Sequence, residues 1–356
     1  MKIAIFTIPL HNNYGGILQG YALNYYLNSK GFDAYTLNFK IAKNSKLSLA
    51  YLRFLAAKIV KFNKYKGVKF SNIQETSCKE FIQQNIKLTR EIHSSMELKE
   101  VFKEEKFDAC IVGSDQVFRP EYLGEWKDDF SLGFVGDECI KLSYAASFGR
   151  SEFRGENLEL HRENLAKFRA VLVREIGAVK ICKDLFSIKA THVLDPTLLV
   201  DKSVFECVRD ESFLKSRGKI LAYILDKTPE KSEKLAQISA KFGKEILEIN
   251  DTENRVGVGE WISAFKEADM VITDSFHGCV FSIIFEKEFY CFINENRGTD
   301  RFYSLFEMFD LEDRILGEKE NFKSIDYEKV SKNLNNMREK SINFLTLNLK
   351  KYKNEI

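Results

Sequence analysis

The stretch Met270 to Phe285 constrains the chain more than any other. Met270-Val271-Ile272 is apolar, Thr273-Asp274-Ser275-Phe276-His277-Gly278 is small and polar, and Cys279 to Phe285 is apolar again. The first run has the length of a short buried strand, and the second is long enough to enter a buried helix. In an open α/β sheet the crevice outside the carboxyl end of such a strand is where ligands bind. The helix that follows aims unpaired backbone N–H groups and a positive dipole end at that crevice, which favours an anion. His277 exchanges protons near neutral pH. The stretch therefore points to proton chemistry beside a bound anion; the plainer reading is a satisfied histidine in a tight strand-to-helix turn.

The same grammar recurs along the chain. Lys2 to Ile8 reads as a central parallel strand, His11-Asn12-Asn13-Tyr14-Gly15-Gly16 as a loop, Ile17 to Ser29 as a helix stopped at Gly31, and Ala34 to Phe39 as a strand. The glycine pair lacks the spaced G-x-G-x-x-G of dinucleotide sites. It lets a ligand approach the backbone closely, or it is a plain tight turn. Phe107 to Val112 is a further buried strand, delivering Gly113-Ser114-Asp115-Gln116 to a loop at its carboxyl end. Asp115 there is placed to accept a proton or hold a hydroxyl, or else to cap a turn or helix. Cys78 to Glu105 reads as helical, Lys141 to Ser147 as a strand, and Phe168 to Val173 as an apolar strand ending in Arg174-Glu175. An arginine at a strand end suits a carboxylate or phosphate through bidentate hydrogen bonds, or pairs with a neighbouring acid.

Thr191 to Leu194 and Asp195-Pro196-Thr197 close the first half, and Asp201 to Arg217 reads as the crossing into a second α/β set. That set carries strands at Lys219–Leu225, Glu245–Ile249 and Phe289–Ile293, with helices at Lys231–Phe242 and Gly259–Glu267. Arg297 and Arg301 follow its last strand, near the crevice of His277, and Ile325 to Tyr352 reads as a polar terminal helix. The expected domains are 1–205, with a basic helical insertion at 40–70, then 206–325, then a C-terminal helix over 326–356. The insertion is distinct in charge: no acidic residue occurs between Asp33 and Glu75, and lysines flank an amphipathic run. Such a segment lies on an anionic membrane or forms a solvated cationic face.

A length of 356 residues suits two domains. Hydrophobic and charged fractions of 44% and 30% are those of a soluble globular protein, and a net charge of +2 argues against a dedicated nucleic-acid binder. Seven scattered cysteines with no C-x-x-C pair fit a reducing compartment better than a disulfide framework or zinc site. No stretch spans a bilayer and the N-terminus lacks a signal-peptide cleavage region, so a cytoplasmic protein is expected, peripheral at the inner membrane surface if the basic segment docks there. No metal-ligand spacing is evident.

Five separated motifs occur in one order: the His11–Gly16 loop with Leu18-Gln19, Gly113-Ser114-Asp115-Gln116, Arg174-Glu175, Asp195-Pro196-Thr197 and Ser275-Phe276-His277-Gly278. Together they resemble the polysaccharide pyruvyl transferase family over nearly the whole chain. The resemblance implies an α/β, GT-B-like fold of two Rossmann-like domains with parallel sheets facing a central cleft. It implies transfer of pyruvate as a ketal from phosphoenolpyruvate to a sugar or lipid-linked oligosaccharide in envelope or capsule synthesis, with no cofactor. It maps the acid/base residue to His277, an acceptor-side acid to Asp115 and a donor ligand to Arg174. Ser275, Gly278, Arg297 and Arg301 join the donor side; Asn13, Gly15, Gly16, Gln19 and Gln116 form the acceptor side. Members of the family carry an arginine where this chain has Ser275, and Arg297 or Arg301 is expected to supply that charge. The other readings are a GT-B-type glycosyltransferase using a nucleotide sugar, and a non-catalytic subunit of an envelope-synthesis complex.

Overall fold

The computed structural model describes residues 1–40, 71–150, 152–249, 254–317 and 322–350. The basic segment expected at 40–70 lies outside the described residues, apart from Lys40.

Short runs, the central ones buried on both faces, build two parallel sheets, as expected where helices cover each face. In the first half these are β1 (Lys2–Phe6), β2 (Asp33–Phe39), β3 (Leu88–Ile92), β4 (Ala109–Val112), β5 (Ile140–Ala146), β6 (Ala170–Val173) and β7 (Ala190–His192). Their spatial order is β3-β2-β1-β4-β5-β6-β7, with every pairing parallel. The second half contributes β8 (Ile220–Tyr223), β9 (Ile246–Ile249), β10 (Met270–Thr273) and β11 (Glu288–Cys291), in the order β11-β10-β8-β9, again parallel. The direction of winding reverses between β1 and β4 in one sheet and between β8 and β10 in the other. At such a reversal the connections leave to opposite sides and open a crevice at the carboxyl ends.

An aromatic joint holds the halves together. The helix Tyr14–Ser29 begins with Tyr14, which stacks on Trp261 of the second half at 5.7 Å and donates its hydroxyl to the Val256 carbonyl at 2.6 Å. Phe205 meets Phe281 edge-on at 4.8 Å. The terminal helix Tyr327–Leu349 does not stay with the second sheet. It packs back on the first half, where Ser341 Oγ accepts the Leu194 N–H at 3.0 Å and Arg338 Nε donates to the Leu198 carbonyl at 2.8 Å.

Two sequence expectations are corrected. Cys78 to Glu105 is not one helix: the helix Ser71–Asn85 and the helix Ser95–Glu105 flank strand β3. As an edge strand, β3 buries Thr89 and Ile92 and exposes Arg90 and Glu91, so its charges read as a helix surface although they guard an edge. The first helix also starts before Ile17. Asn13 caps it, accepting the Gly16 N–H at 3.2 Å, so Gly15 and Gly16 lie in the first turn rather than in the loop.

Candidate active site

The two crevices face each other across a cavity of about 190 Å³. Asn13, Asp115, Gln116 and Tyr122 line it from the first half, and Leu225, Ser275, His277, Arg297 and Arg301 from the second.

His277 stands in the first turn of the helix Phe276–Ile284, at the end of β10. Ser275 caps this helix, its hydroxyl accepting the Gly278 N–H at 3.4 Å. Thr273 Oγ1 accepts the Ser275 N–H at 3.0 Å and donates to the Tyr223 carbonyl at 2.7 Å, fixing the turn. Gly278 is needed for close approach here, because a β-carbon would sit 2.3 Å from Thr273 Oγ1. Asp274 is fully buried. It accepts the N–H groups of Leu225 (2.6 Å) and Asp226 (3.1 Å) and pairs with Lys231 at 2.6 Å, binding the loop after β8 to the loop after β10. His277 is 5% exposed. Its Nε2 lies 3.7 Å from Asp195 Oδ2, too long for a hydrogen bond, and makes no hydrogen bond among the described residues.

Behind the cavity wall runs a buried chain of charge. Arg174 donates from Nη1 to Asp195 Oδ2 at 2.9 Å and from Nη2 to Asp115 Oδ1 at 3.3 Å, and its guanidinium lies 4.5 Å from the centre of the Phe276 ring. Asp195 also accepts from Ser114 Oγ at 3.0 Å and from the Thr197 N–H and hydroxyl at 3.0 and 2.7 Å. Burial pushes the Asp195 carboxyl up. His277, Arg174 and Thr197 together overcome it and hold the group well below the usual carboxylate range. Asp115 sits at φ +73°, in the left-handed region, and accepts its neighbour's N–H from Gln116 at 2.9 Å.

Arg301 is the contrasting case. It is 6% exposed and lines the cavity, yet no carboxylate lies within ion-pairing distance of it among the described residues. Its Nε donates to the Gly298 carbonyl at 3.3 Å, and the guanidinium lies 5.4 Å from the centre of the Phe276 ring. Burial and the charge of Arg174 bring its pKa down to about 10, which leaves it charged at neutral pH. A buried cation facing a polar cavity without its own counter-ion is a receptor for an anion. Arg297, at the rim, is already paired with Asp226 at 2.8 Å.

A profile of the polysaccharide pyruvyl transferase family matches residues 13–296. The chain belongs to this family. It is thus an enzyme, a transferase, with a sugar or polysaccharide as acceptor. No curated protein matches the sequence. Among solved structures it resembles the UDP-GlcNAc 2-epimerase of Neisseria meningitidis (TM-score 0.50, 9% identity, 99% of this chain and 95% of that one). It also resembles that of Methanocaldococcus jannaschii (TM-score 0.50, 14% identity, 98% and 100%). A UDP-N-acetylglucosamine 2-epimerase from Listeria monocytogenes is similar at the same TM-score (11% identity, 97% and 94%). At these identities the likeness shows the fold alone: this pyruvyl transferase family member is GT-B-like, two Rossmann-like units facing a cleft.

The structure brings Asn13, Asp115, Gln116, Ser275, His277, Arg297 and Arg301 of the sequence candidates to the cavity. It does not bring Arg174 there; both ends of its fork are taken by Asp115 and Asp195. Gln19 is fully buried in the wall, donating to Thr7 Oγ1 and to the Gly16 carbonyl. Gly15 touches the ring of His277, Gly16 serves the helix cap, and Gly278 seats its helix on Thr273. Sequence reasoning did not assign a role to Asp195, although it noted the Asp-Pro-Thr motif, nor to Tyr122. Pro196, just inside a helix start behind a capping aspartate, was the signal for Asp195.

Proposed function

We propose that the cavity transfers a pyruvyl group from phosphoenolpyruvate to two hydroxyls of a sugar in a cell-envelope or capsular polysaccharide precursor. Arg301 carries this reading, being a buried, charged guanidinium that faces the cavity beside His277 with no carboxylate in ion-pairing distance among the described residues. Arg301, with Arg297 and the Ser275-capped helix start, holds the carboxylate and phosphate of the donor. His277 protonates the methylene carbon of the enol, and positive charge develops at the carbon bearing phosphate. A sugar hydroxyl adds there and returns its proton. Phosphate then leaves with its bonding electrons, a second hydroxyl closes the ketal, and its proton leaves with the phosphate. Asp115 positions the acceptor hydroxyl, and the opposed halves hold the two reactants together. No cofactor enters this scheme.

A lipid-linked acceptor would be met at the inner membrane surface, with residues 40–70 as the contact. Among the described residues no helix is long and apolar enough to cross a membrane. Calorimetric titration with phosphoenolpyruvate, UDP-sugars and GDP-sugars tests the donor. Heat from phosphoenolpyruvate alone is expected. Binding of a nucleotide sugar instead would make the enzyme a glycosyltransferase, and donor binding without turnover would leave a non-catalytic subunit. Co-sedimentation with anionic vesicles tests the membrane contact, which should weaken steeply with salt.

A further inference from the structure

Arg119 has no part in the chemistry above, yet it is a buried charge with little to balance it. It is 4% exposed, and its Nε makes no hydrogen bond among the described residues. The carboxylate beside it, Glu121, stands 4.0 Å away and is shared with Arg150 at 3.5 Å. Burial lowers its pKa, and Arg150 and Arg154 add to the effect. An ion in that position is costly unless its other donors are well used.

They are used on the walls of the cavity. Nη1 donates to Gln116 Oε1 at 2.7 Å, and the guanidinium carbon lies 4.1 Å from the centre of the Tyr122 ring. Nη2 reaches the Asn296 carbonyl at 3.5 Å, across the joint, in the turn that leads to Arg297 and Arg301. A guanidinium has donors only, so the carboxamide of Gln116 must turn its oxygen to Arg119. Its Nε2 has no hydrogen-bond partner among the described residues, while Gln116 lines the cavity. Gly149, at φ +68°, makes the arrangement possible: a β-carbon there would sit 2.0 Å from Gln116 Oε1.

We infer that Arg119 is a positioning residue: it locks Gln116 so that the amide N–H groups face the cavity as donors to an oxygen of the bound anion, in the cavity that Arg301 also lines. The inference rests on the reading of this cavity as an anion-holding donor site. Its test is titration of the wild type, Arg119→Lys, Arg119→Met and Gln116→Glu with inorganic phosphate and, separately, with phosphoenolpyruvate, alongside thermal melting. Arg119→Met frees the amide and should weaken anion binding roughly tenfold or more. Arg119→Lys still donates to Oε1 and should recover most of that loss. Gln116→Glu turns a carboxylate oxygen to the anion and should lose more than Arg119→Met. Wild-type affinity in Arg119→Met overturns the inference. So does a loss that Arg119→Lys does not restore, or one that vanishes when variants are compared at equal folded fraction. If the wild type binds phosphate but not phosphoenolpyruvate, the donor assignment fails while the phosphate titration still decides the role of Arg119. Binding of neither anion overturns both.

Discussion

Gly15, in the first turn of one half's leading helix, lies against the His277 ring of the other half: a β-carbon there would come within 2.1 Å of Nδ1 and 2.5 Å of Cγ. The ring orientation is therefore set from across the cleft, by backbone that cannot yield without moving the helix. Gly15→Ala should raise local helix propensity and still lower turnover roughly a hundredfold, by displacing the ring or parting the halves. Steady-state kinetics with circular dichroism checks this; wild-type kcat in a folded variant would show that the contact is incidental.

His277→Ala should fold normally and lose between about 10² and 10⁴ in turnover, the range of a lost general acid. Asp195→Asn should behave differently. It leaves Arg174 without one of its two carboxylates, so stability and turnover should both fall. Comparing urea midpoints with kcat for the two variants separates chemistry from support.

Arg301→Ala should weaken phosphoenolpyruvate binding roughly tenfold or more, since a charge-assisted bond to the anion is lost. Arg297→Ala should cost less, because Asp226 already occupies that guanidinium. Calorimetry gives both affinities, and an Arg301→Ala protein that binds like the wild type would remove this arginine from the donor site.

Arg174→Met should act on stability first. Breaking a buried pair leaves Asp115 and Asp195 without their shared cation and costs about 3–5 kcal/mol. Urea denaturation measures it, with donor affinity of the folded fraction expected near wild type. A stable variant with abolished donor binding would return Arg174 to the role of a direct ligand.

Glu175 gives a pH dependence with a definite sign. Burial raises its carboxyl pKa, outweighing Arg174, Ser147 and the Gly149 and Phe148 N–H groups. With its native pKa above the unfolded value, the group costs stability as pH rises from about 4.3 through the native pKa, and the cost is constant above that. Oε1 accepts from Ser147, Phe148 and Gly149, while Oε2 has no partner among the described residues. Glu175→Gln keeps the first oxygen and removes the charge. It should melt at or above the wild-type temperature at pH 8, the gap closing toward pH 4. A gap that widens on acidification contradicts this.

What could be read from sequence follows from how local each signal is. The turn Thr273–Gly278 announced itself because a strand, a cap and a helix start lie within one apolar-polar-apolar pattern, and His277, Ser275 and Asp115 are found where strands end. Strand β3 was hidden because an edge strand carries charges that mimic a helix surface. The start of the first helix was misplaced because Gly15 and Gly16 argue against helix locally, while the reason for Gly15 is a histidine far along the chain. Arg119 precedes a proline in a loop and looks like surface; only the folded chain places it against Gln116 and Tyr122.

The return of the helix Tyr327–Leu349 to the first half has a consequence for synthesis. Leu345 is fully buried in the joint core, and Ser341 satisfies the Leu194 N–H. Ser341 lies 147 residues beyond the Leu194 N–H it satisfies, so the half that leaves the ribosome first cannot be sealed until that helix has been made. At about 5–20 residues per second, the second half has several seconds in which to form beforehand. Nascent chains stalled before Ser341 should therefore be open to a protease in their first half, while released chains resist it.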